Sequence, residues 1–298
     1  MKNIKVAIFG FGSIGRLHYK IIRQTKNIDE IIIYTKQNLK KISHTNNLNE
    51  IIKFNPDYIV IASKTSDHYK NIIFIEKNFK KKIILVEKPI FNKNYKFIPK
   101  NNTFFVNYNL RLNPIIQYLK EYIKRKKIFL VKSICSSYLP NWRKNINYKN
   151  SYSSKKNQGG GVEFDLSHEI DYIIYLFGKF KTLNLINNKI SNLNINSNDN
   201  LLLNGLSKNK IHINFFLNYY GYDNSRKCYI YTNNETVEVD FIKNCIFFFN
   251  KNKSYIKKFP KTSKYYTYQL THKYILNGNY DKICDFNEAE VVLEKIIK

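Results

Sequence analysis

Cysteine is scarce in this chain, and the few cysteines stand alone. The 298 residues include only Cys135, Cys228, Cys245 and Cys284. Because none belongs to a CxxC pair, the spacing indicates neither a disulfide framework nor a zinc site, and we expect reduced thiols and no metal. Long apolar runs are also lacking: none approaches the roughly 18 residues of a membrane span, and the N-terminal run is too short for a signal peptide. These absences predict a cytoplasmic protein without a membrane partner.

Acidic residues and arginine are also in short supply. The chain has 22 Asp and Glu against 50 Lys and Arg, a formal net charge of +28, and only six of the basic residues are arginine. Nucleic-acid surfaces usually cluster their cations and favour arginine. Here the lysines are spread along the chain among Asn, Ile, Tyr and Phe, which share AT-rich codons. We therefore expect no nucleic-acid partner, although the charge favours steering of an anionic substrate.

A glycine pattern follows the first apolar strand. Lys5–Phe9 leads directly into GFGSIG, and a helical pattern then runs from about Ile14 to Gln24. This strand–GxGxxG–helix order is the context of a dinucleotide-binding turn, in which the helix N-terminus faces the pyrophosphate. It predicts cofactor contacts from Gly10, Gly12, Ser13, Ile14 and Gly15.

The second strand ends without the acidic residue that NAD-preferring domains usually place there. Glu30–Tyr34 is followed by Thr35 and Lys36. A hydroxyl group and a cation suit a 2′-phosphate, so the pattern favours NADP over NAD. The alternative is that Lys36 is one more solvated lysine.

Helical and strand patterns then alternate, which predicts a doubly wound parallel sheet with ligands at the carboxyl ends of its strands. Strand 58–62 is followed by Ser63, and Thr65 and its neighbours are N-cap candidates for a helix over 68–77. Strand 83–86 is followed by a Glu-Lys-Pro segment. Further cofactor-contact candidates at these ends are Ser63, Thr65, His68, Glu87 and Lys88.

The pattern changes near residue 108. Beyond it, strand-like runs separated by Asn, Gly and Asp turns predict a large antiparallel sheet, and 287–297 reads as an amphipathic helix. We expect a Rossmann domain over 1–107 and an α+β domain over 108–298, with the last helix able to pack back on the first domain.

One glycine-rich segment carries clustered acid and imidazole groups. In GGGVEFDLSHEID, a helix starting near Phe164 would place Asp165 and His168 on one face, three residues apart. Such a pair is suited to proton transfer. The structural alternative is that Asp165 caps the helix and His168 is a satisfied core histidine.

Four motifs in this order resemble the Gfo/Idh/MocA family of oxidoreductases, over nearly the whole chain. They are GFGSIG, VEKPIF at 86–91, VNYNLR at 106–111 and GGGVEFDLSHEID at 159–171. The stretch YLPNWR at 138–143, followed by Tyr148 and Tyr152, is similar to a branch among bacterial surface-sugar enzymes.

The resemblance implies a Rossmann domain followed by an open-faced, mostly antiparallel sheet domain, with NAD(P) bound to the first. It implies hydride transfer at a secondary alcohol or ketone of a sugar, with a nucleotide-linked sugar among the expected substrates. Lys88 matches the family lysine that polarises the hydroxyl, His168 the proton acceptor and Asp165 the acid. Asp165 and His168 are three residues apart where many members have four, so Asp171 could share the orienting task or be structural. Pairing of open sheet faces implies a homodimer or homotetramer.

Substrate-binding candidates combine rare residue types. Arg111 and Arg143 are conspicuous in a chain that prefers lysine, and guanidinium groups bind carboxylate or phosphate bidentately. Trp142, the only tryptophan, could stack on a sugar face, and Tyr152 lies nearby. The alternative is a salt bridge and a core indole.

The sequence is also compatible with two other functions. One is a cyclitol dehydrogenase. The other is a non-catalytic NAD(P)-binding sensor or assembly protein.

Overall fold

A computed structural model describes residues 3–143, 147–263 and 265–297. The strands are β1 (Ile4–Phe9), β2 (Ile28–Tyr34), β3 (His44–Thr45), β4 (Tyr58–Ile61), β5 (Ile83–Val86), β6 (Thr103–Val106), β7 (Ile128–Ser136), β8 (Phe180–Asn188), β9 (Asn200–Ser207), β10 (His212–Asn218), β11 (Ser225–Thr232), β12 (Glu235–Asp240), β13 (Cys245–Asn250), β14 (Ser254–Lys258) and β15 (Cys284–Asp285). The helices are α1 (Ser13–Ile22), α2 (Leu48–Phe54), α3 (Thr65–Asn78), α4 (Pro114–Tyr122), α5 (Val162–Asp165), α6 (His168–Phe177), α7 (Tyr266–Leu276) and α8 (Phe286–Ile296). Within the described ranges, no helix has the length and apolar character needed to cross a membrane.

The chain forms two compact units. The first comprises the described residues of Met1–Asn109 and Lys264–Leu293, and the second those of Leu110–Ser263 and Glu294–Lys298. The first unit therefore takes its last elements from far along the chain, after the second unit has been completed.

The sheet of the first unit has seven strands in the order β15-β6-β5-β4-β1-β2-β3. All its pairings are parallel except that of β15 with β6. Strand β4 is buried throughout, and β1 is buried from Val6 to Phe9. Continuous apolar runs of this kind are typical of parallel strands covered on both faces. The predicted Rossmann architecture is confirmed.

The sheet of the second unit has eight strands in the order β14-β13-β12-β11-β7-β10-β9-β8. Only the β7–β10 pairing is parallel, and the others are antiparallel. Helix α6 packs on β7, and strand residues alternate between that side and the other. The predicted mostly antiparallel sheet is confirmed.

Burial on this sheet alternates residue by residue, as the apolar segments 215–217 and 247–249 show. Phe215 and Leu217 are fully buried, as is Phe248. Phe216 is half-buried on the opposite face, and Phe249 is 44% exposed. The period of two along a strand assigns successive side chains to opposite faces.

The expected helix over residues 164–177 is interrupted. Helix α5 ends at Asp165 and α6 begins at His168. The Ser167 hydroxyl donates to the Phe164 carbonyl at 2.9 Å, and the amide of Glu169 donates to the carbonyl of Leu166 at 3.0 Å. Hydroxyl-to-backbone bonds compete with the regular helical pattern. Asp165 and His168 therefore belong to different helices rather than to one helical face.

Candidate functional site

The glycine turn after β1 packs closely on itself and on a neighbouring loop. Gly10 has a φ of 95°, and a Cβ added there would lie 2.7 Å from the Cα of Ser63. A Cβ on Gly15 would lie 2.2 Å from the Gly10 carbonyl oxygen. These two glycines are therefore required by the turn itself.

Gly12 differs from the other two glycines of the turn. Its φ of −72° and ψ of −165° suit any residue, and an added Cβ would have nothing within 4 Å. It lies directly before the first turn of α1, which has no side-chain cap. An uncovered helix N-terminus with open space beside its backbone fits a phosphate group. Ser13 is exposed and Ile14 half-buried at this helix start. The chain's own packing does not require glycine at position 12, whereas a pyrophosphate would.

A second cation, which was not predicted, contacts the segment after β2. Thr35 accepts a hydrogen bond from the Gln37 amide at 3.1 Å, and Lys36 is exposed. Arg16, from α1, donates to the Gln37 side chain at 3.0 Å and stacks 4.7 Å from the ring centre of Phe11. Neither Arg16 nor Gln37 was predicted from the sequence as a residue of this site, although Arg16 is one of only six arginines.

The loops after β4 and β5 are joined through a buried histidine. His68 is 1% exposed, and its ring nitrogens lie 3.1 Å from the Pro89 carbonyl oxygen and 3.2 Å from that of Ser63. Burial lowers the pKa of His68, against smaller opposing effects of the carbonyls. Thr65 is buried at the start of α3, and Asn71 donates to the Ser63 hydroxyl at 3.0 Å. His68 thus holds two loops together.

Glu87 and Lys88 follow β5 in sequence but differ in exposure. Lys88 is half-buried and is joined to Pro89 by a cis peptide bond. Glu87 is buried, and its Oε1 accepts from His18 Nε2 at 2.8 Å and from Asn107 Nδ2 at 2.6 Å.

The chain of hydrogen bonds continues away from Glu87. His18 Nδ1 lies 2.8 Å from His272 Nε2, and His272 Nδ1 lies 2.9 Å from the Tyr58 hydroxyl. Burial by itself raises the pKa of Glu87, but His18 and Asn107 outweigh it and hold that pKa below its ordinary value. Burial, reinforced by His18, holds the pKa of His272 well below its usual range.

The bonds form one continuous route from Glu87 through His18 and His272 to Tyr58, and the tautomer of each imidazole sets which atom donates along it. Every buried polar atom on this route then has a partner. Of the four residues, the sequence reasoning identified only Glu87.

The triple glycine of the second unit also lies against backbone. A Cβ on Gly160 would lie 2.1 Å from the Tyr152 carbonyl oxygen, while Gly159 and Gly161 have φ values of 84° and 140°. This close approach brings the segment before α5 next to Tyr152.

Asp165 lies between two tyrosines. Its Oδ1 accepts from the Tyr152 hydroxyl at 2.7 Å, and its Oδ2 accepts from the Tyr219 hydroxyl at 2.6 Å. Burial, and then the Asp165 charge, raise the pKa of both tyrosines well above the ordinary value, so they remain donors. His168 is half-buried at the start of α6. Tyr219 was not among the predicted residues, because nothing in its sequence context distinguishes it from the other tyrosines.

Arg111 is enclosed in the second unit. It is 1% exposed, and its guanidinium donates to the Asp171 carboxylate at 2.7 and 3.1 Å. This buried pair corrects the expectation that Arg111 contacts substrate, because its charge is already bound by a carboxylate. Asp171 correspondingly has a structural contact.

A small cavity near Asp165 has about 230 Å³ of empty space, its solvent-filled opening included. Its lining consists of Leu139, Trp142, Arg143, Tyr148, Ser151 and Ser153. Trp142 packs edge-on against Tyr219, with 5.2 Å between ring centres, and its indole N–H donates to Ser137 at 2.9 Å. The guanidinium of Arg143 lies 5.4 Å from the ring centre of Tyr152. Three predicted substrate residues are thus together, within reach of the acid.

A second acid beside Asp165 was not predicted. Glu163 is buried, and its Oε1 accepts from Asn198 at 3.0 Å. Its Oε2 has no hydrogen-bond partner among the described residues and lies against Gly161. Burial first, and the Asp165 charge in addition, raise the pKa of Glu163 to about 7.

Residues 4–96 match a family model described as "Oxidoreductase family, NAD-binding Rossmann fold", named GFO_IDH_MocA. The similarity to the Gfo/Idh/MocA family is thus established for residues 4–96. The match spans the glycine turn, the segment after β2 and the Glu87–Lys88 pair. A comparison of the whole sequence with curated proteins finds no match.

Solved structures share the fold of this chain over nearly its whole length. A levoglucosan dehydrogenase in complex with NADH superposes with a TM-score of 0.81 at 16% identity, covering 99% of this chain and 95% of that one. The WlbA dehydrogenase from Bordetella pertussis, in complex with NADH and UDP-GlcNAcA, gives 0.76 at 17% identity, with coverage of 99% and 95%. A super-repressor mutant of Gal80p from Saccharomyces cerevisiae gives 0.80 at 14% identity, covering 98% and 94%. At these identities the likeness establishes the fold.

We predict that Gly12→Ala folds normally but binds cofactor poorly. The backbone accepts alanine, so the free energy of unfolding should change by less than about 1 kcal/mol. The added methyl group occupies the space beside the helix N-terminus, and affinity for NADH or NADPH should fall about tenfold or more. Fluorescence titration of the reduced nicotinamide and denaturant unfolding measure the two effects. Gly15→Ala, which clashes with Gly10, should instead lose stability. Wild-type affinity in Gly12→Ala would contradict the assignment.

We predict that Glu163 makes stability fall as pH rises. Its pKa is about 7 in the folded chain against an ordinary 4.5, so the folded state holds an extra proton between these values. The stabilisation is complete below about pH 4.5 and is lost as pH rises through 7. The Glu163→Gln side chain cannot ionise. The difference in free energy of unfolding between this variant and wild type should therefore shift in favour of the variant by about 1–3 kcal/mol as the pH rises from 5 to 8. The exposed-site control, Glu121→Gln, should show a constant difference from wild type. Parallel curves for wild type and Glu163→Gln would refute this.

Proposed function

We propose that the chain is an NAD(P)-dependent oxidoreductase acting on a secondary alcohol or ketone of a sugar, with nucleotide-linked sugars for surface glycans included. The observation that carries the proposal is the turn at Gly12, where open space adjoins an uncapped helix N-terminus. That turn lies within the part of the chain that matches an NAD-binding oxidoreductase family. The likeness to a WlbA dehydrogenase in complex with UDP-GlcNAcA supports a sugar substrate.

The nicotinamide, when bound, supplies the hydride chemistry. Gly10, Gly12 and Gly15, with Ser13 and Ile14, would hold the pyrophosphate at the start of α1. The segment after β2 would hold the adenosine ribose, and the Ser63–Thr65 and Glu87–Lys88 segments would line the nicotinamide half. His68 would act by positioning these loops, since its ring nitrogens already lie against backbone carbonyls.

The protein's own task is to stabilise a developing alkoxide and to move one proton. Lys88 is proposed to stabilise the negative oxygen with its ammonium group. His168 is proposed to accept the hydroxyl proton, since an imidazole titrates near neutral pH. Asp165, which is buried and accepts from two tyrosine hydroxyls, lies close in sequence to His168.

NADP is favoured over NAD on local charge. Lys36 is exposed after β2, and Arg16 approaches the same segment through Gln37. Two cations and the Thr35 hydroxyl suit a 2′-phosphate. The NADH in two similar structures supports the opposite preference. Titration of the cofactor-free protein with NADPH and NADH separates the two.

A non-catalytic NAD(P)-binding protein is the alternative that a specific observation favours. That observation is the likeness to a repressor variant, Gal80p, over 98% of this chain. A cyclitol dehydrogenase would use the same residues and differ only in substrate.

We predict that Lys88→Met reduces turnover about 10²–10³-fold, because it removes the charge that stabilises the alkoxide. NAD(P)H absorbance with a panel of sugars, cyclitols and nucleotide sugars measures the rate. The matched control Lys93→Met, an exposed lysine in the following loop, should retain the wild-type rate. Tight cofactor binding without turnover of any compound in wild type would favour the non-catalytic alternative. An unchanged rate in Lys88→Met would remove Lys88 from the mechanism.

We further propose a homodimer or homotetramer formed through the open face of the eight-stranded sheet. Phe216 pairs with Leu202 on one side and Ile134 on the other, and Leu202 is 38% exposed. An apolar row of this kind on a sheet face is typical of an interaction surface.

We expect a solution mass that is a multiple of 35.6 kDa. Leu202→Lys should dissociate the oligomer, because a lysine would be buried without a partner. Ile98→Lys, at a 76% exposed site in the first unit, is the control and should leave the mass unchanged. Sedimentation equilibrium measures both, and a monomeric wild type would exclude the proposal.

A further inference from the structure

The cavity in the second unit combines one cation with aromatic walls. Arg143, Trp142 and Tyr148 line it together with Leu139 and two serines. The enclosed part of the cavity has room for about one water-sized group, and the rest of its space is open to solvent. It therefore suits a single charged substituent of a ligand, with the remainder of the ligand outside, rather than a whole sugar ring or nucleotide sugar.

Arg143 differs in its contacts from Arg111 and Arg226, two other arginines of the second unit. Arg111 is bound by the Asp171 carboxylate, and Arg226 is bound by Glu169 at 2.5 Å. Over the described ranges, Arg143 has no carboxylate within ion-pair distance, and its guanidinium lies over the face of the Tyr152 ring. Its guanidinium is half-buried at the cavity. A planar cation of this kind can donate two parallel hydrogen bonds to a carboxylate or phosphate.

The cavity is connected to the proposed proton-transfer residues through one side chain. The Arg143 guanidinium lies over the ring of Tyr152, and the Tyr152 hydroxyl donates a hydrogen bond to Asp165 at 2.7 Å. Arg143 and the Asp165 carboxylate thus contact the same side chain, one at its ring and the other at its hydroxyl group.

The aromatic wall is held in place before any ligand arrives. Trp142 donates its indole N–H to Ser137 and packs against Tyr219, and it remains 36% exposed. A fixed, partly exposed indole offers an apolar face to the C–H groups of a sugar.

We propose that this cavity binds an anionic substituent of the sugar substrate, a carboxylate or a phosphate, with Arg143 as the ion-pair partner and Trp142 as the stacking surface. The inference rests on the proposed function for the sugar part of the ligand. It specifies that the substrate is an acidic or phosphorylated sugar rather than a neutral one.

The single tryptophan makes the test direct, because Trp142 is the only indole in the chain and lines the cavity. Its fluorescence is recorded while the cofactor-free protein is titrated with glucose, glucuronate, glucose 1-phosphate, UDP-glucose and UDP-glucuronate. We expect saturable changes with the anionic compounds at concentrations about tenfold or more below those needed with glucose. Preference for glucuronate identifies a carboxylate site, and preference for glucose 1-phosphate or UDP-glucose identifies a phosphate site.

Variants at two arginines identify the cation responsible. Arg143→Gln should weaken binding of the anionic compounds about 10- to 100-fold and leave glucose binding unchanged. Arg143→Lys should recover part of the affinity, since it restores the charge without the planar fork. Arg125→Gln, which removes an exposed arginine elsewhere in the same unit, controls for net charge and should bind as wild type does.

Equal affinity for glucose and the anionic compounds, no saturable change with any anionic compound, or wild-type binding by Arg143→Gln would each overturn the inference. Because the titration needs no turnover, its failure is distinguishable from failure of the proposed function. Turnover of a neutral sugar together with no preference for the anionic compounds would leave the oxidoreductase standing and remove the anion site. Anion binding through Arg143 without turnover of any compound would support the anion site and count against the oxidoreductase function.

Discussion

Burial of the Glu87 carboxylate is the constraint on which the first unit depends. A carboxylate removed from water is costly unless several donors surround it. Those donors come from His18 on α1 and from Asn107 after β6, and His18 is in turn bound by His272 on α7. One charge thus joins four distant parts of the chain immediately before Lys88. The late return of the chain to the first unit supplies a hydrogen-bond partner that the N-terminal residues alone lack.

The second unit satisfies its buried acids in a comparable way, with one exception. Asp165 is bound by two tyrosine hydroxyls, and Asp171 and Glu169 are each bound by an arginine. Glu163 has a donor for only one of its oxygens, and burial raises its pKa to about 7. In a chain with a large excess of lysine, the buried acids Asp165, Glu169 and Asp171 are nevertheless paired with tyrosine and arginine. Those side chains bury at lower cost, because phenol is neutral and guanidinium is weakly hydrated.

Much of the fold could be predicted because its signals are local. Apolar runs gave β1, β4 and β5, and the glycine turn before α1 follows from the order of strand, glycines and helix. Two short strands, β3 and β15, could not be found this way, because a two-residue strand exists only through its pairing partner. The interruption between α5 and α6 was missed for a similar reason: the apolar pattern continues across it, while the Ser167 hydroxyl redirects the backbone.

The sequence by itself determined the residue types and the strand ends at which the site would be sought: Gly12, Lys88, and the Asp165 and His168 segment. Backbone conformation and strand order are short-range properties that spacing encodes. Only the tertiary structure decided which charged side chains are already paired with a charge of opposite sign. It bound Arg111 to Asp171 and left Arg143 at a cavity, although both arginines look alike in sequence. The pairing of charges is decided by residues brought together from distant positions, and a linear pattern carries no record of those distances.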